Sequence, residues 1–226
     1  DEPESILSDN ILIELERVPL GVASYSDPEG DDNGPEGSYM YPGAPGYVNQ
    51  MDIRAVEAIC RGNNIDLNIT MADITREWIP PNGFDHLLLN IFLDVPGTEG
   101  VRELPLLNAN MPGNAGWDYM ISAAGFGSVI FNSEGASADS PGKVTGPAPV
   151  IFSDTTTNTI TFSIQANALG NPEEIDGTRI YITTWGGSPG APRPFSDRHE
   201  PWLFYGGSQG DPMIMDDTDL IAIVKH

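Results

Sequence analysis

Short runs in which apolar and polar residues alternate give this chain most of its regular pattern. "MDIRAVEAIC" (51–60) and "NIDLNITMADI" (64–74) alternate almost strictly, which is typical of strands with one buried face. "HLLLNIFLDV" (86–95) is apolar at both sets of positions and predicts a central strand buried on both faces. Further strand-like runs are "ILIELERV" (11–18), "GWDYMISAAG" (116–125), "SVIFN" (128–132), "APVIFS" (148–153), "TITFSIQANAL" (159–169), "TRIYITTWGG" (178–187) and "TDLIAIVKH" (218–226).

Turn residues determine which architecture these strands can form. The 226 residues include 25 glycines and 20 prolines, and no strand–helix–strand rhythm is visible. About ten to twelve strands with turn-rich connections predict an all-β fold: a single-domain antiparallel β-sandwich, jelly-roll-like. We assign 1–21 to an N-terminal strand or linker region and 22–226 to the sandwich. The abrupt start at "DEPESILSD" indicates a piece of a longer, multidomain chain.

The charge balance excludes two classes of partner. Asp and Glu number 33 against 10 Lys and Arg, which gives a formal net charge of −23 at pH 7. Nucleic acids and anionic membrane surfaces are bound by clustered cations, so we expect neither as a partner. No apolar run approaches the roughly 18 residues of a membrane span, so membrane insertion is not expected. Self-repulsion favours a monomer, and the acidity itself fits solubility, adaptation to salt or cation binding.

The most acidic segment is "DPEGDDNGPEGSYMYP" (27–42), which combines five carboxylates with three glycines and three prolines. It offers nothing that we expect to pack in a core, so we predict that a bound cation holds it in place. Ca²⁺ takes about six to eight oxygen ligands from carboxylates, carbonyls and water. The spacing is not that of an EF-hand, and a solvated acidic turn is the alternative. Side-chain oxygens come from Asp27, Glu29, Asp31, Asp32 and Asn33.

Other aspartates are available to complete such a site through space. Asp52 opens the strand after the acidic segment, and Asp94 ends the apolar strand. "DDTD" (216–219) forms a further acidic group before the last strand. Capping of turns is the commoner role of aspartates in such places, and the sequence alone leaves open which of them contributes.

Signals of catalysis are weak. The 33 carboxylates allow many glycosidase-like pairs and rank none of them. His86, His199 and His226 show no metal-ligand spacing, and no serine is predicted to lie on the sharp strand-to-helix turn of a nucleophile elbow, since helical signals are nearly absent. Cys60, the single cysteine, sits in an alternating run and is predicted to be a small buried hydrophobe. A glycan-active enzyme is therefore the least favoured function.

Tryptophans in loops are the candidates for sugar binding, because sugar rings stack on aromatic faces. Trp117 starts a strand and is expected in the core, and Trp78 lies where a strand gives way to a loop. Trp185 precedes two glycines, and Trp202 lies in the long Pro-rich tract 186–213. We therefore predict carbohydrate-binding residues at Trp185, Trp202 and Tyr205.

The order of these motifs resembles a known family. "DPEGDDNGPEGSYMYP" is followed by "EWIPPNGFDHLLLNIFLD" (77–94) and "EPWLFYGGSQGDPMIMDD" (200–217). This order resembles the C-terminal module of glucodextranase and of related amylases and pullulanases, over roughly 22–224. That module is similar to family-nine carbohydrate-binding modules and DOMON-type sandwiches.

The resemblance implies a non-catalytic β-sandwich that contains structural calcium and lies outside the cell or on its surface. It implies a role in holding polysaccharide or a cell-surface glycan beside a catalytic domain, and the acidity favours neutral glucan. The alternative is a purely structural or cell-surface calcium-binding module without a sugar ligand; an exposed aromatic pair would favour binding. The calcium ligands implied by the resemblance are Asp27, Asp31, Asp32 and Asp52, and the composition of the loop adds Glu29.

Overall fold

The computed structural model describes residues 21–61, 64–171 and 177–225. The predicted strand at 11–18 lies outside the described residues, as does nearly all of the N-terminal region at 1–21. The described residues form β-strands and one 3₁₀ helix, Ala166–Leu169. None of their helical segments has the length and apolarity to cross a membrane. The strands are β1 (Gly21–Ser26), β2 (Ile53–Arg61), β3 (Asn64–Met71), β4 (Leu87–Asp94), β5 (Glu103–Leu104), β6 (Ala109–Asn110), β7 (Tyr119–Ala124), β8 (Gly127–Asn132), β9 (Lys143–Val144), β10 (Val150–Asp154), β11 (Thr159–Gln165), β12 (Arg179–Ser188), β13 (Ala191–Pro192), β14 (Asp216–Asp217), β15 (Ile221–Ala222) and β16 (Val224–Lys225).

Two antiparallel sheets make up the sandwich. The first has the order β10-β11-β3-β2-β1-β16, and the second has the order β13-β12-β4-β7-β8-β9. The short strands β14 and β15 also pair with β12, while β5 and β6 form a separate ribbon. This architecture confirms the prediction of an all-β antiparallel sandwich. β1 was not predicted from its sequence, since "GVASYS" has little apolar character, and it is held by pairing with β2 and β16.

The alternating pattern of the first sheet gives it one buried and one solvated face. In β3, Ile65, Leu67 and Ile69 are almost completely buried, while the residues between them are only partly covered. Cys60 at the end of β2 is buried and free, as predicted. The apolar face of this sheet packs with the second sheet into one large core cluster.

The second sheet is buried on both faces, which explains the continuous apolar run of β4. Its central strand lies between β12 and β7, as predicted. Ile91 faces the large core cluster, whereas its neighbour Phe92 belongs to a second cluster. In that second cluster the fully buried ring of Trp117 lies 5.9 Å from the ring of Phe92. Trp117 is thus a core residue, in agreement with its predicted role.

Strand registers bring several loops to the same end of the second sheet. Leu87 at the start of β4 is opposite Gly186, and Leu88 is opposite Ala124. The loop before β4, the turn after β7 and the loop after β12 therefore emerge side by side.

Backbone hydrogen bonds join the acidic loop (27–52) to the late loop (189–215). The Met40 N–H donates to the Tyr205 carbonyl at 2.8 Å, and the Gly34 N–H donates to the Met215 carbonyl at 2.9 Å. Tyr39 is buried, with its ring 4.9 Å from that of Phe195. The expectation that segment 27–42 contributes nothing to the core was therefore wrong, because Tyr39 anchors it between the two loops.

Replacement of Ile91 by alanine tests the assignment of the core. Ile91 is fully buried at the centre of β4, so Ile91→Ala should lower the free energy of unfolding by about 2–5 kcal/mol in urea denaturation. Val150, which is 69% exposed on an edge strand, provides the matched control, and Val150→Ala should change it by no more than about 0.5 kcal/mol. Equal effects of the two changes would contradict the described core.

Candidate functional site

Three aspartates from distant parts of the chain converge on one point. Asp27 follows β1 directly, Asp31 lies four residues further along the acidic loop, and Asp216 opens β14 on the edge of β12. One carboxylate oxygen from each lies within 4.8 Å of the others. Two oxygens that are both about 2.4 Å from one calcium ion are at most about 4.8 Å apart. The spacing of this acidic triad therefore fits a single cation of that size.

The triad also leaves carboxylate oxygens free for a ligand. Asp27 Oδ2 is buried and has no hydrogen-bond partner. Two backbone N–H groups fix the Asp216 carboxylate: Oδ2 accepts from the Ile53 N–H at 2.7 Å, and Oδ1 accepts from the Asp217 N–H at 2.8 Å. Asp31 is exposed. The triad thus combines a buried carboxylate held by backbone N–H groups, a half-buried one with an unpartnered oxygen and an exposed one.

The remaining carboxylates of the predicted metal site have other partners. Arg54 lies 3.1 Å from Asp52 and 3.2 Å from Glu29, so its guanidinium balances both charges. Asp52 Oδ2 also accepts from the Gly30 N–H at 3.1 Å. Asp32 accepts a hydrogen bond from the Tyr41 hydroxyl. The structure thus brings Asp27 and Asp31 together with Asp216 and places the other three around them.

Burial makes the charged form of these carboxyl groups unfavourable. It raises the pKa of Asp52 to about 6, with repulsion by Asp32 as a further cause. It also raises the pKa of Asp27 and that of Asp216, each with repulsion from Asp31 as a further cause. A cation bound among them would relieve both the repulsion and the burial of uncompensated charge.

Two tryptophans form an exposed aromatic platform, defined here as Trp78 and Trp202. Their side chains are 42% and 47% exposed, and their ring centroids lie 5.9 Å apart. The buried ring of Tyr47 lies beneath, 6.4 Å from that of Trp202. Arg193 Nη1 donates to the Trp202 carbonyl at 3.0 Å and to the Tyr47 hydroxyl, which fixes the loop that carries Trp202.

Of the three predicted sugar-binding residues, Trp202 alone lies on this platform. Trp185 is fully buried, with its ring 4.5 Å from that of Phe204, and its Nε1–H donates to the Arg193 carbonyl at 2.8 Å. It has no free face for a sugar, so the prediction for Trp185 was wrong. Tyr205 is half-buried, and its ring lies 5.3 Å from that of His199.

The platform residue that sequence reasoning missed is Trp78. The sequence indicated its position in a loop through "WIPPNGF", where two prolines that follow shortly after the tryptophan prevent regular structure. What the sequence does not contain is the partner: Trp78 and Trp202 meet only because the loop before β4 and the loop after β12 leave the same end of the sheet.

The raised pKa values predict how the stability of the protein without a bound cation depends on pH. Well below pH 4 these aspartates are protonated in both the native and the unfolded chain. A raised native pKa means that the native state holds these protons more tightly than the unfolded chain does. The stability that this difference provides is lost as the pH rises through the native pKa, which is about 6 for Asp52. With chelator present, the melting temperature should therefore fall between pH 5 and pH 7.5.

The variants Asp52→Asn and Asp216→Asn should each flatten that profile, because the amide does not titrate. Asp66→Asn, on the solvated face of β3, serves as the control and should leave the slope unchanged. A melting temperature that rises from pH 5 to pH 7.5 in the presence of chelator would contradict the prediction.

Comparison with known proteins places these features in one family. Residues 22–222 match the model of a family described as the C-terminal binding-module, SLH-like, of glucodextranase. No match was found among curated proteins. The matched range includes the acidic triad and the aromatic platform, and it confirms the resemblance predicted from the motifs. The chain belongs to the family of SLH-like C-terminal binding modules of glucodextranase.

Proposed function

We propose that this module binds carbohydrate without catalysing a reaction on it. The observation that carries the proposal is the exposed pair of Trp78 and Trp202, 5.9 Å apart, in a member of a binding-module family. Two large aromatic faces exposed at one end of a soluble domain are the type of surface against which sugar rings stack.

The charge of the chain favours a neutral polysaccharide as the ligand. A formal net charge of −23 repels uronates and sulfated sugars over the whole surface. Neutral glucan is therefore the proposed ligand class. The proposed setting is a monomeric module of a longer chain, outside the cell or on its surface, where it holds polysaccharide or a cell-surface glycan next to a catalytic domain.

We further propose that Asp27, Asp31 and Asp216 hold Ca²⁺. Two observations support it: the fit of the triad's spacing to one such ion, and the buried Asp27 Oδ2 that lacks a partner. The ion would supply the positive charge that the three carboxylates of the triad lack among themselves. It would pin the acidic loop, which carries Tyr47 beneath the Trp202 ring, so the cation and the platform share one support.

Removal of either platform ring should weaken polysaccharide binding. We expect the module to bind a neutral glucan with a dissociation constant of roughly micromolar to millimolar, since stacking yields only a few kcal/mol after ordering costs. Trp202→Ala and Trp78→Ala should each reduce retardation in affinity electrophoresis against dextran, starch and a set of other neutral and anionic polysaccharides. Melting temperatures should change little, because both rings are partly exposed.

Phe152 provides the matched control for this experiment. Its side chain is 67% exposed on the edge strand of the other sheet, so Phe152→Ala should leave retardation unchanged. If the unmodified protein is retarded by none of the polysaccharides, the purely structural calcium module becomes the better description.

Calcium should raise the melting temperature of the module. An ion that binds the native state alone stabilises it by about 2.7 kcal/mol at a hundredfold excess over its dissociation constant. For a domain of this size that is a shift of roughly 5 to 11 °C. Chelator should lower the melting temperature, and millimolar calcium should restore it, whereas sodium at equal ionic strength should not.

The triad defines which variants should respond. Asp31→Ala and Asp216→Asn should each reduce the shift produced by calcium. Glu29→Gln is a control within the same loop, since Glu29 faces Arg54 at 3.2 Å and lies outside the triad. Identical melting curves in chelator, calcium and sodium would mean that the loop is a solvated acidic turn.

A further inference from the structure

A cavity of about 300 Å³ opens beside Trp78, between the loop before β4, the turn between β7 and β8 and the turn after β12. Phe126, 63% exposed, and the half-exposed Trp78 line its outer part, and both offer apolar ring surface. Asp85 and His86, which are 1% and 7% exposed, line its inner part. The cavity therefore combines aromatic walls with a buried polar floor.

The polar floor contains unused hydrogen-bonding atoms. Asp85 Oδ1 and both ring nitrogens of His86 are buried without a partner. They are three of the six such side-chain atoms in the part of the chain that the structure describes. A buried polar atom without a partner is destabilising, and such atoms in native proteins normally meet a ligand or water. Their concentration on two adjacent residues of one cavity points to a polar ligand.

The chain holds these two side chains in a fixed position. Asp85 Oδ2 accepts from the Trp78 N–H at 3.1 Å, and the Asp85 N–H donates to the Thr75 carbonyl at 2.9 Å. The His86 ring lies between two aromatic rings, 4.3 Å from Tyr47 and 4.4 Å from Trp78. Gly46 has a φ of +92°, and a Cβ there would lie 3.1 Å from His86 Nε2. Packing and a glycine together set the imidazole before any ligand arrives.

We propose that this cavity is a subsite for one neutral sugar residue, whose hydroxyl groups bind Asp85 and His86 while its ring contacts Trp78 and Phe126. The inference rests on the carbohydrate-binding function proposed above and extends it from stacking to recognition of hydroxyl groups. A volume of about 300 Å³ lies at the lower end of small-molecule sites, which fits a single residue of a chain better than several.

The chemistry of the floor matches the hydroxyl groups of a sugar. A carboxylate oxygen accepts a hydrogen bond from one hydroxyl, and a ring nitrogen of a neutral imidazole donates or accepts one more. Burial lowers the pKa of His86, so its ring is neutral near pH 7. Arg193 also lines the cavity, so one basic and one acidic residue face it and no excess of positive charge favours an anion.

Two variants that preserve the local backbone test the subsite. Asp85→Asn keeps an oxygen for the Trp78 N–H and replaces the acceptor Oδ1 with an NH2 donor. His86 has a φ of 61°, and asparagine tolerates this left-handed region better than most residues, so His86→Asn is the second variant. For every neutral polysaccharide that retards the unmodified protein, each variant should weaken binding at least tenfold. Asp66→Asn, the same chemical change on the solvated face of β3, should not.

A direct readout complements these variants. In NMR spectra, titration with D-glucose should shift one histidine Cε1–H signal, and that signal should be missing in His86→Asn. Melting temperatures identify any variant that fails to fold.

The outcomes separate this inference from the proposed function. If Trp202→Ala abolishes retardation while Asp85→Asn and His86→Asn bind within twofold of the unmodified protein, the subsite is overturned and the binding module stands. Retardation by anionic polysaccharides alone also overturns the subsite. If no polysaccharide retards the unmodified protein, both proposals fall.

Discussion

The pairing of the acidic loop with the late loop is the interaction on which both candidate sites depend. These two segments lie far apart in the sequence, and backbone hydrogen bonds such as Met40 N–H to the Tyr205 carbonyl join them at 2.8 Å. The pairing brings the acidic loop, with Asp27 and Asp31, to the residue before Asp216 at one point and Tyr47 to Trp202 at another. Loosening it would therefore disturb the candidate cation site and the aromatic platform together. A cation at the triad would act on this pairing from one side, and Tyr39 anchors it from within the core.

The fold was predictable from the sequence because period-two alternation directly reports which face of a strand is buried. The run at 64–74 gave β3, and the run that is apolar at every position gave the central strand β4. Boundaries were less accurate. β2 begins at Ile53 rather than Met51, and β3 ends at Met71 rather than Ile74, because pairing partners and not propensity decide where a ladder ends.

The site residues were only partly predictable, since proximity across the fold decides their roles. Asp27 and Asp31 stood out as a local cluster, but Asp216 joins them through the pairing of β14 with β12, which no local pattern reveals. Trp185 appeared to lie in a loop because two glycines follow it. In fact β12 continues to Ser188, and the indole packs against the rings of Phe195 and Phe204 from the late loop and Tyr39 from the acidic loop. Trp78 was identified as a loop residue, but its role became visible only with Trp202 beside it.

The acidity of the chain explains why the triad is a candidate site for an external cation. The chain has 33 carboxylate side chains and 10 basic ones. Where a buried carboxylate meets a basic residue, as Asp52 meets Arg54, the protein compensates the charge itself. Asp27, Asp31 and Asp216 face one another instead, so their mutual repulsion has no counterweight within the triad. A divalent cation from the medium would supply that counterweight at the point where the two long loops meet. Asp85 Oδ1 is likewise buried without a hydrogen-bond partner, and in the proposed subsite a sugar hydroxyl would supply the missing donor.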